Sequence, residues 1–171
     1  MVHCLQMGAL RLVPLDISHA HAFVLLANEP SISARVNHAK PFTIEHFVHF
    51  LAQVMEAPTQ QYVWMMEQEG VICGMINAAT MRNPQIFQGG YWVSPHYRGR
   101  GIAIAALALV KEHLFTHCHA VRLQALVEPD NASSIRVLER NGYVCEGLLK
   151  RYYARNDVDL VDVYMYAAIA S

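Results

Sequence analysis

The chain has 171 residues, 54% of them hydrophobic and 16% charged, with a net charge of -1 and a mean hydropathy of +0.18. That length predicts one domain, 1–171, with a sizeable core, and the balanced charge excludes a nucleic-acid binder built on a basic surface. Cys4, Cys73, Cys118 and Cys145 lie far apart with no Cys-x-x-Cys pair, which argues against a disulfide framework and for a reducing, cytoplasmic setting. Arg11 and Asp16 interrupt the first apolar stretch, and the apolar run 101–110 is short, so neither a targeting segment nor a membrane span is expected.

In chain order, GALRLVPL (8–15) alternates well enough for a first strand. Ser18 is placed to cap a helix reaching about Asn28, and a loop-like stretch with Pro30 and Pro41 follows. Thr43 suits the N-cap of a second helix to about Ala57, with Phe42 and Phe47 as its hydrophobic staple and Pro58 closing it. QYVWMMEQ (61–68), a Glu69-Gly70 turn and VICGMINAAT (71–80) read as a hairpin, in which Trp64-Met65-Met66 is strand core. After a loop at Asn83-Pro84 come a strand over 87–94, a helix from Gly101 to about Thr116, and a buried strand over 121–127. A short helix from Asn131 ends at Gly142, a natural residue just past a helix end, and YVCEGLL and VDLVDVYMYA form two last strands. The order β, α, α, β, β, β, α, β, α, β, β predicts an α/β fold: a mixed, mostly antiparallel sheet of about seven strands flanked by about four helices. The long apolar last strand is a candidate for pairing in a homodimer.

Arg98, Gly99, Arg100 and Gly101 sit between a strand and a helix start. The first N–H groups of a helix lack partners and the dipole is positive there, so the turn suits an anion. Glycine lets backbone approach closely, and arginine adds charge-assisted bonds. No Gly-Lys-Ser/Thr follows, which excludes a Walker loop, and Ile104 stands where a dinucleotide fingerprint needs glycine. A solvated turn is the alternative from local physics alone.

The spacing Arg98-x-x-Gly101-x-Ala103, after Tyr91-Trp92-Val93 and before an apolar helix, resembles the acetyl-CoA signature of the GNAT N-acetyltransferases. LRLVPL is similar to that family's first strand, and Asn131-x-x-Ser134 with Arg140-Asn141-Gly142-Tyr143 to its fourth-helix motif. Together they point to the RimJ/RimL-like branch, which includes ribosomal-protein N-terminal acetyltransferases. The resemblance implies that backbone N–H groups from Arg98, Gly99, Arg100, Gly101, Ile102 and Ala103 hold the pyrophosphate of acetyl-CoA or coenzyme A. It also implies that pantetheine pairs with a splayed strand edge at Trp92, Val93 and Ser94, where Pro95 ends the ladder.

Acetyl transfer requires a neutral amine and a proton for the departing thiolate. Asn131 suits both a helix cap and a cofactor ligand. Many relatives carry an acidic tyrosine where this chain has Leu138, so the resemblance makes Ser134 the general acid, with Tyr143 as the alternative. Some relatives place a basic glutamate where this chain has Tyr153; Glu128 is the candidate base instead, with Glu67 and His96 as further options. His113, His117, Cys118 and His119 cluster at a helix end, but the pattern lacks the glutamate of His-Glu-x-x-His and a distant fourth ligand, so no metal is expected. The expected acceptor is an amine: a ribosomal or other protein N-terminus, or a small amine. Its choice is expected in 29–42, 80–88 and 150–157, with Lys150, Arg151 and Arg155 beside one mouth of the site. The rival reading is a non-catalytic module that binds acyl-CoA.

Overall fold

The computed structural model describes residues 3–155 and 159–170. Among them are eight strands: β1 (Leu5–Met7), β2 (Leu10–Pro14), β3 (Gln61–Gln68), β4 (Val71–Thr80), β5 (Ile86–Val93), β6 (Arg122–Val127), β7 (Val144–Ala154) and β8 (Leu160–Ile169). Five α-helices accompany them: α1 (Ala20–Ala27), α2 (Pro30–Ser33), α3 (Ile44–Glu56), α4 (Ile102–His117) and α5 (Ala132–Arg140). The strands form one sheet in the order β1-β2-β3-β4-β5-β6-β8-β7, parallel between β5 and β6 and antiparallel in its other pairings.

Helices cover both faces, which explains the unbroken apolar run of β3: a strand buried on two sides has no solvent face to alternate with. Tyr62, Trp64 and Met66 point into the core beneath α4 and α5, whereas Val63 and Met65 point into the core beneath α1 and α3. In α3, Phe47, Leu51 and Val54 are buried at helical spacing. Thr43 caps this helix as expected, completing a reciprocal capping box with His46.

Four expectations need correction. A 3-10 turn at Ile17–His19 precedes α1, and it is this turn that is capped, by Asp16 and not by Ser18: the Asp16 carboxylate accepts from the Ser18 N–H at 2.8 Å. The stretch after α1 holds α2, capped by Glu29 with Pro30 in its first turn. The amino-terminal strand is a small hairpin, with β1 preceding the Gly8 turn. Finally, β8 is hydrogen-bonded to β6 on one side and β7 on the other, so it has no free edge for a dimer; β7 is the edge strand at that end of the sheet.

One departure from a continuous sheet positions the site. The β5–β6 pairing covers Ile86 to Gln88 against Arg122 to Gln124, although the strands run on to Val93 and Val127. At the last paired step the Gln124 side-chain N–H donates to Gln88 Oε1 at 3.0 Å. Beyond it the strands diverge into a fork.

Candidate active site

The fork opens a continuous groove of about 930 Å³ that reaches both faces of the sheet. Successive residues of β5 point to opposite faces. Tyr91 packs against the α4–α5 core, and Trp92 enters the α1–α3 core, meeting Phe23 edge-on at 5.5 Å.

On the α4 side lies the Arg-Gly turn. Gly99 and Gly101 have φ of 76° and 77°, left-handed values that other residues adopt only with strain. The first bond into the helix is Ala105 N–H to the Gly101 carbonyl at 3.0 Å. The N–H groups of Ile102, Ala103 and Ile104 precede it, and all three residues line the groove. Helix geometry therefore leaves these donors for an anion.

The arginines of the turn act otherwise than expected. The Arg98 N–H donates to Pro95 at 3.3 Å, and its Nε donates to the Val93 carbonyl at 2.9 Å. Its guanidinium approaches the Glu29 carboxylate at 3.9 Å, so Arg98 fixes the turn. Arg100 stands 5.2 Å over the Tyr97 ring and is not among the described residues lining the groove. Ser94 is also off that wall: it is buried, and its N–H pairs with the Cys73 carbonyl at 2.8 Å. Trp92 and Val93 remain on the wall. Positive charge comes from α5, where Arg136 and Arg140, one turn apart, line the groove. Lys150 and Arg151 do not.

Asn131 caps α5, its side-chain oxygen accepting from the Ser134 N–H at 3.2 Å. The Ser134 hydroxyl lies 2.8 Å from the Tyr91 hydroxyl, which is also 3.3 Å from the Ser134 carbonyl. Burial pushes the Tyr91 phenol up to about 12, against a smaller opposing effect of its bond to Ser134, so this hydroxyl keeps its proton. The pair brings β5 and α5 together across the fork. Tyr143 is displaced from the alternative-acid role by its position: its side chain is buried in the α4 core and is not among the groove-lining residues described. Burial, then the neighbouring Tyr91, raises its pKa. Leu138 is core as well.

Glu128 is buried at the groove wall, but both carboxylate oxygens are engaged. Arg35 reaches it at 2.9 Å, and Arg155 donates to its two oxygens through Nε and Nη2. Arg35 also grips Asp130 at 2.7 Å and 3.1 Å. The guanidiniums of Arg35 and Arg155 thus occupy the carboxylate on the side where a substrate ammonium would have to bond. Glu67 is tied to Arg11 at 2.6 Å, and neither Glu67 nor His96 is among the described wall residues. Residues 156 and 157 of the expected acceptor loop lie outside the described residues.

Among the described residues, no group of three or more His, Cys, Asp or Glu side chains could hold a metal. His113 instead stacks on His117 at 5.1 Å and meets Trp64 edge-on at 5.9 Å. Burial first, and then nearby positive groups, lower its pKa.

A family model described as an acetyltransferase (GNAT) domain matches residues 9–144. An uncharacterized N-acetyltransferase p20 of Bacillus licheniformis is 35% identical over 80 residues, which are 47% of this chain and 44% of that protein. The ribosomal-protein-serine acetyltransferase of Escherichia coli shows the same identity over the same length and shares. The aligned stretch thus spans less than half of either relative. The structure of Mycobacterium smegmatis RimJ in complex with CoA-disulfide superposes with a TM-score of 0.87 at 26% identity, covering 99% of this chain and 87% of that one. With the matched domain covering most of its length, the chain belongs to the GNAT acetyltransferase family.

Proposed function

We propose that this protein transfers an acetyl group from acetyl-CoA to a primary amine, directly, with both substrates bound in the groove, and that it works in the cytoplasm. The observation that carries this reading is the fork, which lets one groove run from the start of α4 past the Tyr91–Ser134 pair to the α1–α3 face. The donor set fits a coenzyme A thioester. The N–H groups of Gly99, Gly101, Ile102, Ala103 and Ile104 suit a diphosphate, and Arg136 and Arg140 add charge along the same wall. The described lining holds four arginines, Arg35, Arg98, Arg136 and Arg140, against the single acid Glu128. Such a wall favours a polyanionic ligand. The resemblance to RimJ, whose structure was solved with CoA-disulfide, supports the same assignment.

Acetyl-CoA supplies the thioester. Tyr91 has one hydroxyl hydrogen and two acceptors on Ser134, the Oγ and the carbonyl. When it donates to Oγ, the hydrogen of Ser134 is free to point into the groove and reach the leaving sulfur. Tyr91 then stabilises the negative charge that grows on Oγ as that proton moves. Ser134 is the general acid, and Tyr91 orients it.

The acceptor side is lined by Phe23, Phe42, Phe50, Met75 and Trp92, and the one acid among the described lining residues is paired with two arginines. An amine that deprotonates easily, such as a protein N-terminus with a usual pKa of about 7.7–8.0, suits that wall better than a polyamine. The E. coli relative's name, a ribosomal-protein-serine acetyltransferase, supports a protein N-terminus as the acceptor. The test is release of free CoA from acetyl-CoA with serine-headed and alanine-headed hexapeptides, free amino acids and spermidine. Peptides are expected to be turned over in preference to spermidine. Preferred turnover of spermidine contradicts the acceptor assignment.

A further inference from the structure

Two side chains on the described groove wall belong to types that serve as general bases, Glu128 and His38. Glu128 is held by two guanidiniums. His38 is different. Its Nδ1 lies 2.8 Å from the Ala39 carbonyl. A carbonyl oxygen only accepts, so Nδ1 carries the hydrogen and the Nε2 of the neutral ring bears a bare lone pair. That Nε2 is buried and has no hydrogen-bond partner among the described residues. Buried polar atoms are nearly always partnered, so an orphan acceptor on a groove wall points to a donor brought by a ligand.

The ring is held in place. It packs on Phe42 at 5.0 Å, and Phe42 packs on Phe23 at 5.6 Å, next to Trp92. The backbone is pinned on both sides of it. Arg35 is bound to Glu128 and Asp130, and the Phe42 N–H and carbonyl bond the Asn28 side chain at 2.9 Å and 2.7 Å. These contacts place His38 with the α1–α3 aromatic cluster, while Ser134 lies on the α4–α5 side of the fork.

We propose that His38 receives the acceptor: Nε2 accepts a hydrogen bond from the substrate ammonium and removes the proton that blocks attack. The inference rests on the acetyltransferase reading above. An ammonium carries three hydrogens and the amide product one. The first proton lost goes to Nε2 and then to solvent, freeing the nitrogen lone pair to form the C–N bond. The second leaves nitrogen as the C–S bond breaks, and it balances the proton that Ser134 delivers to sulfur. The ion-pair cluster around Glu128 thereby has a function besides stability, since it anchors the segment that carries the base.

The test compares wild type with His38→Gln and His38→Ala, using serine-headed and alanine-headed hexapeptides with acetyl-CoA. Glutamine can accept a hydrogen bond but not the proton. Its kcat is therefore expected to fall about 100-fold, with CoA affinity unchanged and the deficit shrinking as pH approaches the pKa of the peptide amine. Wild-type kcat in His38→Gln, or an equal deficit at every pH, overturns the inference and leaves the acetyltransferase reading standing. If no peptide is turned over by wild type, that reading's acceptor fails. Imidazole-nitrogen NMR of the wild-type protein then still decides His38: the Nδ1–H tautomer with its Nε2 signal shifting as peptide is added is expected, and the Nε2–H tautomer overturns the inference.

Discussion

Replacing Tyr91 with phenylalanine keeps the ring that packs against the α4–α5 core and removes one oxygen, 2.8 Å from Ser134 Oγ. If Ser134 gives up its proton to sulfur, that hydroxyl is a neutral donor to an oxygen gaining negative charge. Hydrogen bonds to charged groups contribute about 1.5–3 kcal/mol, and each 1.4 kcal/mol or so is a factor of about ten in rate. Tyr91→Phe should thus lower kcat roughly 10- to 150-fold, while CoA affinity measured by calorimetry stays unchanged. Ser134→Ala removes the acid itself and should cost about 10²- to 10⁴-fold. The informative measurement is the double variant. Because Tyr91 acts through Ser134, Tyr91→Phe should slow the Ser134→Ala enzyme little further, giving a large coupling energy. Multiplying losses would refute the coupling and show that Tyr91 works independently. An active Ser134→Ala would refute the acid assignment itself.

Three other outcomes follow from the geometry. A Cβ at Gly101 meets no heavy atom within 4 Å, so Gly101→Glu should fold with a loss of about 1–2 kcal/mol from its left-handed φ of 77°, and its carboxylate lands among the α4 donors. One like-charge contact near a surface costs about 4 kcal/mol at 4 Å, and calorimetry should show CoA affinity down at least ~100-fold; unchanged affinity contradicts the diphosphate site. Glu128→Gln leaves Arg35 and Arg155, with side chains 37% and 35% exposed, without their shared carboxylate. This partial exposure trims the usual penalty for a broken buried pair to about 2 kcal/mol, a Tm drop of roughly 4–8 °C, and an unchanged Tm would deny the cluster its anchoring role. His113 has its folded pKa below the ordinary 6.5, chiefly through burial. The unfolded chain then binds the proton more readily, so the stability from the neutral ring is present above pH 6.5 and is lost as pH falls toward the folded pKa. His113→Phe should flatten the acid side of a Tm–pH curve, and an unaltered slope would contradict the assignment.

Contiguous features were legible before any coordinates. The 61–80 hairpin runs as expected, because an apolar run with a Glu69-Gly70 break has few other solutions. The glycine turn at α4 and the cap at Asn131 are local patterns whose physics resides within a few residues. Helix α2 is hard to read because Pro30 looks like loop punctuation, although an acidic cap followed by proline is also a helix start. The site residues missed are those that need the fold. Tyr91 and Ser134 are 43 positions apart, and only strand alternation would have aimed Tyr91 at α5. The engagement of Glu128 depends on Arg35, 93 residues away, and His38 lies in a stretch without periodicity. Arg136 and Arg140 are readable as one face of a helix, whereas Lys150 and Arg151 of the more conspicuous basic run are not among the described wall residues.

The central claim is that the groove joins a thioester to an amine. It is tested most directly by incubating the protein with acetyl-CoA and the serine-headed hexapeptide, following free CoA and the peptide's mass together. The account predicts one acetyl group on the peptide α-amine for each CoA released, with wild type far faster than Ser134→Ala. Tight CoA binding with no acetylated amine and no CoA above the hydrolysis background would contradict it, and would make the protein a non-catalytic acyl-CoA-binding module.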